Sequence, residues 1–172
     1  ICHRDTPCAA IVALGASIRL RADHGWDVAF VAVGDPGAII VPPPAAAVPT
    51  DGLWRATCFE LFFARTGDSY SELNLSPSGA FAAYHFEHYR TGMRPIAVPP
   101  PAIAMTVERD RLTLRAHLSE DALPWDGAGQ LGLCAVIREK TGATSYWALA
   151  HAPGKRDFHH RDCCALHLPA QD

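Results

Sequence analysis

The chain has 172 residues, 49% of them hydrophobic, with 15 Lys and Arg against 18 Asp and Glu and a formal net charge of -3. That length fits one domain with an ordinary core. The charge balance supplies no basic stripe for nucleic acid, and no apolar run approaches the span of a membrane helix, so neither partner is expected.

Taken in chain order, the sequence reads as short strands separated by turns. Ile11 to Arg21 and Trp26 to Val33 form an antiparallel pair around Asp23-His24-Gly25. Thr57 to Arg65, Tyr70 to Ser76 and Ala80 to Phe86 follow, divided by Thr66-Gly67-Asp68 and Pro77-Ser78-Gly79. Ile103 to Arg109 and Arg111 to Leu118 hinge at Asp110, and Leu131 to Glu139 pairs with Thr144 to Ala150 around Lys140-Thr141-Gly142. Proline-rich stretches at Pro42 to Pro49, Pro95 to Pro101 and around Pro124 are loops or strand edges, because proline supplies no ladder donor. A single helical turn is expected at Ser119 to Leu123. The pattern predicts an all-β protein, an antiparallel β-sandwich of jelly-roll or immunoglobulin-like type with little helix, formed as one domain over residues 1–172.

The chain opens Ile1-Cys2-His3-Arg4 with no charged-then-apolar leader. Cys58 and Cys134 sit in apolar strand runs, so reduced, buried thiols and a cytoplasmic setting are expected.

Alternation assigns faces. Tyr70, Glu72, Asn74 and Ser76 share one side of their strand, with Leu73 and Leu75 on the other. Glu60 shares a side with Cys58 and Phe62, opposite Phe59, Leu61 and Phe63. If these strands form a hairpin, Glu60 lies near Glu72 and Asn74, and Tyr84 of the next strand joins them. Two readings follow. Glu60 and Glu72 are solvated outer-face residues paired to Arg55 or Arg90, or they belong to a concave polar face that hydrogen-bonds a ligand.

The second dense segment, Ser145 to His160, places Trp147 beside His151, Lys155, Asp157 and His159 in a Gly/Pro loop. This mix suits a sugar, with an aromatic ring on its apolar face and polar groups on its hydroxyls. The alternative is a core Trp147 and a charged turn. Adjacent pairs such as His159-His160 and Cys163-Cys164 do not have metal-ligand spacing, so no metal is expected. Glu60 and Glu72 could be offered as a glycosidase pair, but no nucleophile elbow, phosphate loop or dinucleotide fingerprint is present, and a non-catalytic role is expected.

The segments Leu53-Trp54-Arg55-Ala56-Thr57-Cys58-Phe59-Glu60-Leu61-Phe62 and Tyr70-Ser71-Glu72-Leu73-Asn74-Leu75-Ser76-Pro77-Ser78-Gly79 resemble the DOMON-like and family 9 carbohydrate-binding-module-like superfamily. There, a Cys/Val-x-Glu-x-Phe strand precedes a Tyr-x-Glu-x-Asn strand and a Pro-x-Gly turn. The downstream stretches Tyr84 to Arg94 and Tyr146 to Cys163, and the His3 to Cys8 opening, are similar to the bacterial DOMON-like subgroup. The resemblance implies a β-sandwich, usually an accessory module, that binds sugars or haem. For a sugar it implies aromatic clamps, here Trp147 and Tyr84, with Glu60, Glu72, Asn74, His151 and Lys155 as polar partners. No second clamping Trp is matched, since Trp54 precedes its strand and Trp125 lies in a loop. For haem it implies axial ligands such as Met93 with His151 or Lys155. The expectation is therefore a carbohydrate-binding module without a cofactor, with haem binding and protein interaction as alternatives.

Overall fold

The computed structural model describes residues 1–64, 67–122 and 129–168. Two antiparallel sheets form its framework. The smaller has β1 (Ile11–Leu20), β2 (Trp26–Gly34), β8 (Arg111–Leu118) and β7 (Ala102–Val107) side by side in that order. The larger runs β10 (Thr144–Ala148), β9 (Gly129–Arg138), β3 (Cys58–Ala64), β4 (Tyr70–Leu75), β5 (Phe81–Phe86) and β6 (Arg94–Pro95). β11 (Leu166–Leu168) pairs with the first residues of β9, leaving the rest of that edge to β10.

All nine expected strands are present, and the fold is the expected sandwich. β6 and β11 are additional, two and three residues long, too short to show alternation in the sequence. The turn at Ser119 is a 3-10 turn over Glu120–Ala122. The expected strand end at Arg65, the turn residue Thr66, Leu123 and the Pro124 stretch with Trp125 lie outside the described residues.

The hydrophobic period builds the core. Phe59, Leu61 and Phe63 from β3, Leu73 and Leu75 from β4, and Leu131 and Leu133 from β9 face Val28, Phe30, Leu112 and Leu114 of the smaller sheet. Phe30 and Phe59 meet across the layers with ring centres 5.0 Å apart. Each such side chain, fully buried, contributes about 1.5–3 kcal/mol of transfer free energy. The turn between β4 and β5 needs its glycine: Gly79 has φ +99°, and its N–H donates to the Ser76 carbonyl at 3.0 Å.

The outer faces of the two sheets differ, and this positions the site. The smaller sheet's outer face is wet, with Asp27 accepting from Arg19 at 2.6 Å on exposed β1 and β2 side chains. That bond and one to His117 hold the Asp27 carboxyl down at about 2. The larger sheet is covered on both faces, so all seven residues of β3 are buried.

Candidate functional site

Strand register brings the polar residues of the outer face together. Glu60 lies opposite Asn74 between β3 and β4, and Glu72 lies opposite Phe62 on one flank and Tyr84 on the other. Glu60 and Glu72 are thus diagonal neighbours on one face, within reach of a single small group. Both are buried, at 3% and 6% exposure. Of the two expected readings, the solvated one does not hold: a covering layer lies over this face.

That layer comes from chain segments before β3 and after β10. Trp54, in the 3-10 turn Leu53–Arg55, stands edge-on to Tyr84 with centroids 5.7 Å apart. The Tyr84 hydroxyl donates to Asp51 at 2.6 Å. After β10, the chain turns back and lays Phe158 against Phe62 and Tyr146, at 6.3 and 5.8 Å. The Arg156 guanidinium sits 4.4 Å from the Tyr146 ring centre, a cation–π contact. Between these segments a cavity of about 550 Å³ opens, with Glu60 and Glu72 in its lining together with Trp54, Phe62, Tyr84, Phe86, Tyr146 and Phe158. Arg90, Met93, Val136, Lys155, Arg156, Asp157 and His159 complete it.

A hydrogen-bonded latch ties the β5–β6 connection to the C-terminal loop. Arg90 Nη2 donates to Asp157 Oδ1 at 2.7 Å, and the Tyr89 hydroxyl donates to Asp157 Oδ2. The His159 backbone N–H donates to Asp157 Oδ1 at 3.1 Å. The Arg90 backbone N–H donates to the Tyr70 hydroxyl at 3.1 Å, and that hydroxyl lies 2.8 Å from His159 Nδ1. Arg90 itself has φ +55°, a left-handed conformation rare outside glycine.

Burial sets the protonation states. Glu60 is pushed well above the usual carboxylate range by desolvation and by the nearby Glu72. Glu72 is pushed up to about 7 by desolvation, against the Asn74 bond and the Arg90 charge, which lower it. Burial lowers His159 to about 4, with Arg90 adding to the effect, so its ring is neutral at pH 7. For Asp157, burial acts upward but is outweighed by the Tyr89 and Arg90 bonds, which hold it below the ordinary range. Burial therefore favours the protonated form of both floor carboxyls, and among the described residues one side-chain donor reaches them. That donor is Asn74 Nδ2, 2.7 Å from Glu72 Oε1, while Glu60 Oε1 is buried without a partner.

Of the residues singled out from the sequence, Glu60, Glu72, Tyr84, Lys155, Asp157 and His159 line this one cavity. Asn74 lies beneath it, fully buried, and supports Glu72. Trp147 and His151 are placed elsewhere. Trp147 is opposite Ala135 and points into the inter-sheet core, where its indole N–H donates to Ser145 at 3.0 Å. It is structural rather than an exposed platform; the outer-face ring is its neighbour Tyr146, opposite Val136. Side chains alternate along a strand, so one step in sequence exchanges the two faces. His151 bonds the Ile1 carbonyl through Nε2 at 3.0 Å and packs edge-on to His3, outside the cavity lining. Trp54, Arg90, Arg156 and Phe158 were not singled out as site residues. The first was visible in the Leu53-Trp54-Arg55 segment but stands before its strand, and the others become neighbours only through the latch.

A second hollow of about 690 Å³ shares Phe62 and His159 with the first and is bordered by Asp68, His88, His160 and Arg161. Among the described residues, no three His, Cys, Asp or Glu side chains converge as metal ligands. All six cysteines are free thiols, four of them buried. No described helix is long and apolar enough to cross a membrane.

No family model and no curated protein matches the sequence. Among solved structures, the chain is similar to a candidate carbohydrate-binding protein from Bacteroides uniformis, with a TM-score of 0.63 at 12% identity over 96% of this chain and 79% of that one. It is also similar to a family 9 carbohydrate-binding module from Caldicellulosiruptor kristjanssonii. The complex with cellotriose gives 0.46 at 11% identity, covering 85% of this chain and 70% of that one. The complex with glucose gives 0.48 at 12%, covering 85% and 72%. What the Bacteroides protein shares with this chain is the fold, a two-sheet β-sandwich spanning nearly its whole length.

Proposed function

We propose that the outer-face cavity binds a carbohydrate and that the protein is a non-catalytic binding module of the bacterial DOMON-like kind its sequence resembles. One observation carries the reading: Trp54, Tyr84 and Tyr146 share a lining with two buried carboxyls and with Lys155 and Arg156. A sugar presents both an apolar ring face and outward hydroxyls, and needs walls of this mixed kind. The Bacteroides structure's description as a candidate carbohydrate-binding protein supports the reading. The non-catalytic reading follows the accessory binding modules that the sequence resembles.

Calorimetric titration with mono- and oligosaccharides tests this. Binding with Kd below about 1 mM is expected, weakened by Trp54→Ala or Tyr146→Ala. No binding across such a panel by the folded protein would end the proposal.

Haem binding is the second reading, and it is supported by Met93 and Lys155 lining the same cavity. His151, the other axial partner considered, does not. The buried acidic floor suits hydroxyl or amine donors better than a porphyrin plane. Protein prepared from haem-replete cells is expected to lack a Soret band; a stoichiometric band would replace the carbohydrate reading with this one.

A further inference from the structure

The floor of the cavity has a donor deficit. Glu60 and Glu72 bring four carboxyl oxygens to one buried patch; beyond the protons the pair itself carries, Asn74 is the donor that the described residues supply, and it answers one of them. Glu60 Oε1 is 3% exposed as a residue, buried as an atom and unpartnered, at the lining of the cavity. Arg90, whose charge acts on Glu72, is engaged with Asp157. An unpaired buried acceptor is costly, and two adjacent acids are more so if ionised. Whatever fills this patch must bring hydrogen-bond donors and, to ionise the pair, positive charge.

We propose that the ligand is an amino-bearing saccharide whose ammonium group seats between Glu60 and Glu72. This rests on the reading of the cavity as a carbohydrate site. A neutral hydroxyl offers one proton and no charge. An ammonium offers three donors and a full charge, enough to answer the unpartnered Glu60 Oε1 and to reach the Glu72 carboxyl beside it. Charge-assisted bonds of this kind are roughly twice as strong as neutral ones. The diagonal placement of Glu60 and Glu72 lets a single nitrogen reach both carboxyls, while Trp54 and Tyr146 remain available to the sugar ring.

The test compares two probes of equal length, a glucosamine trimer and cellotriose, by calorimetry at pH 7 with wild-type protein and Glu60→Gln. Gln keeps the shape and one acceptor but cannot ionise. The wild type is expected to bind the glucosamine trimer about tenfold more tightly than cellotriose, the gain of a charge-assisted contact over a neutral one. Glu60→Gln is expected to abolish that preference, the two probes then binding within about twofold of each other. Equal or tighter binding of cellotriose by the wild type would overturn the amine assignment and leave carbohydrate binding standing. A preference that survives Glu60→Gln would also overturn it, since the amine would then be held elsewhere. Binding of neither probe by protein with the native circular dichroism spectrum would overturn both proposals.

Discussion

Asn74 and Glu72, two residues apart on β4 and on the same face, are joined by a 2.7 Å hydrogen bond from the amide Nδ2 to Glu72 Oε1. Asn74 is fully buried, and the Cys58 thiol lies 3.7 Å from its Oδ1, so both ends of the amide are in use. It is the only donor the described residues give the acidic floor. Asn74→Ala leaves Glu72 with an unanswered buried acceptor. It is expected to cost about 1–3 kcal/mol in urea denaturation and to push Glu72 above its value near 7. Unchanged stability in Asn74→Ala would show that water answers the carboxyl equally well.

Glu72 makes stability depend on pH in the direction opposite to most carboxylates. Its folded value of about 7 lies above the ordinary 4.5, so the folded state holds the proton more tightly than the unfolded one. Its contribution is therefore most favourable below about pH 4.5 and falls as the pH rises through 7. Glu72→Gln has no such dependence. The variant is expected to match the wild type near pH 4.5 and to be more stable by about 2–3 kcal/mol at pH 8, measured as denaturation midpoints across that range. A gap that does not widen with pH would show that Glu72 is ionised at no cost in the fold.

Trp54, Tyr146 and Trp147 separate binding from folding. Trp147→Ala removes a side chain 5% exposed in the inter-sheet core and is expected to cost about 3–5 kcal/mol of stability. Trp54→Ala and Tyr146→Ala are expected to cost less stability and more affinity, because these rings border the cavity. If Trp147→Ala were stable and lost only ligand, the register of β10 described above would be wrong.

Arg90 is expected to control His159. Its charge adds to burial in holding the imidazole at about 4, so Arg90→Met should raise the His159 value towards 6.5, read by NMR titration. A histidine with a depressed folded value stabilises above about pH 6.5 and loses that contribution as the pH falls through 4. The acid-side loss is therefore expected to be smaller in Arg90→Met. The ion pair with Asp157 is half exposed on the arginine side, so the substitution should cost only about 0.5–1 kcal/mol at pH 7. An unmoved His159 titration would show that desolvation alone sets it.

The strands, the sandwich and the sharing of one face by Glu60, Glu72, Asn74 and Tyr84 were legible in the sequence. These follow from a period of two, which is written locally in β3, β4 and β5. It also marked Lys155, Asp157 and His159 as polar loop residues. Whether that face is covered came from the tertiary fold. Alternation states which residues share a side, never which side is covered. Here the turn carrying Trp54 and the loop carrying Phe158 close over the outer face, and they turn what read equally well as two solvated glutamates into a buried pair. The same limit explains Trp147 and Tyr146: both are aromatic, one step apart, and only pairing with Ala135 and Val136 sends one to the core and the other to the cavity. The latch from Arg90 to Asp157 spans 67 residues of chain. A contact of that range leaves no local pattern, because its energy comes from the closure of the fold and not from neighbouring residues.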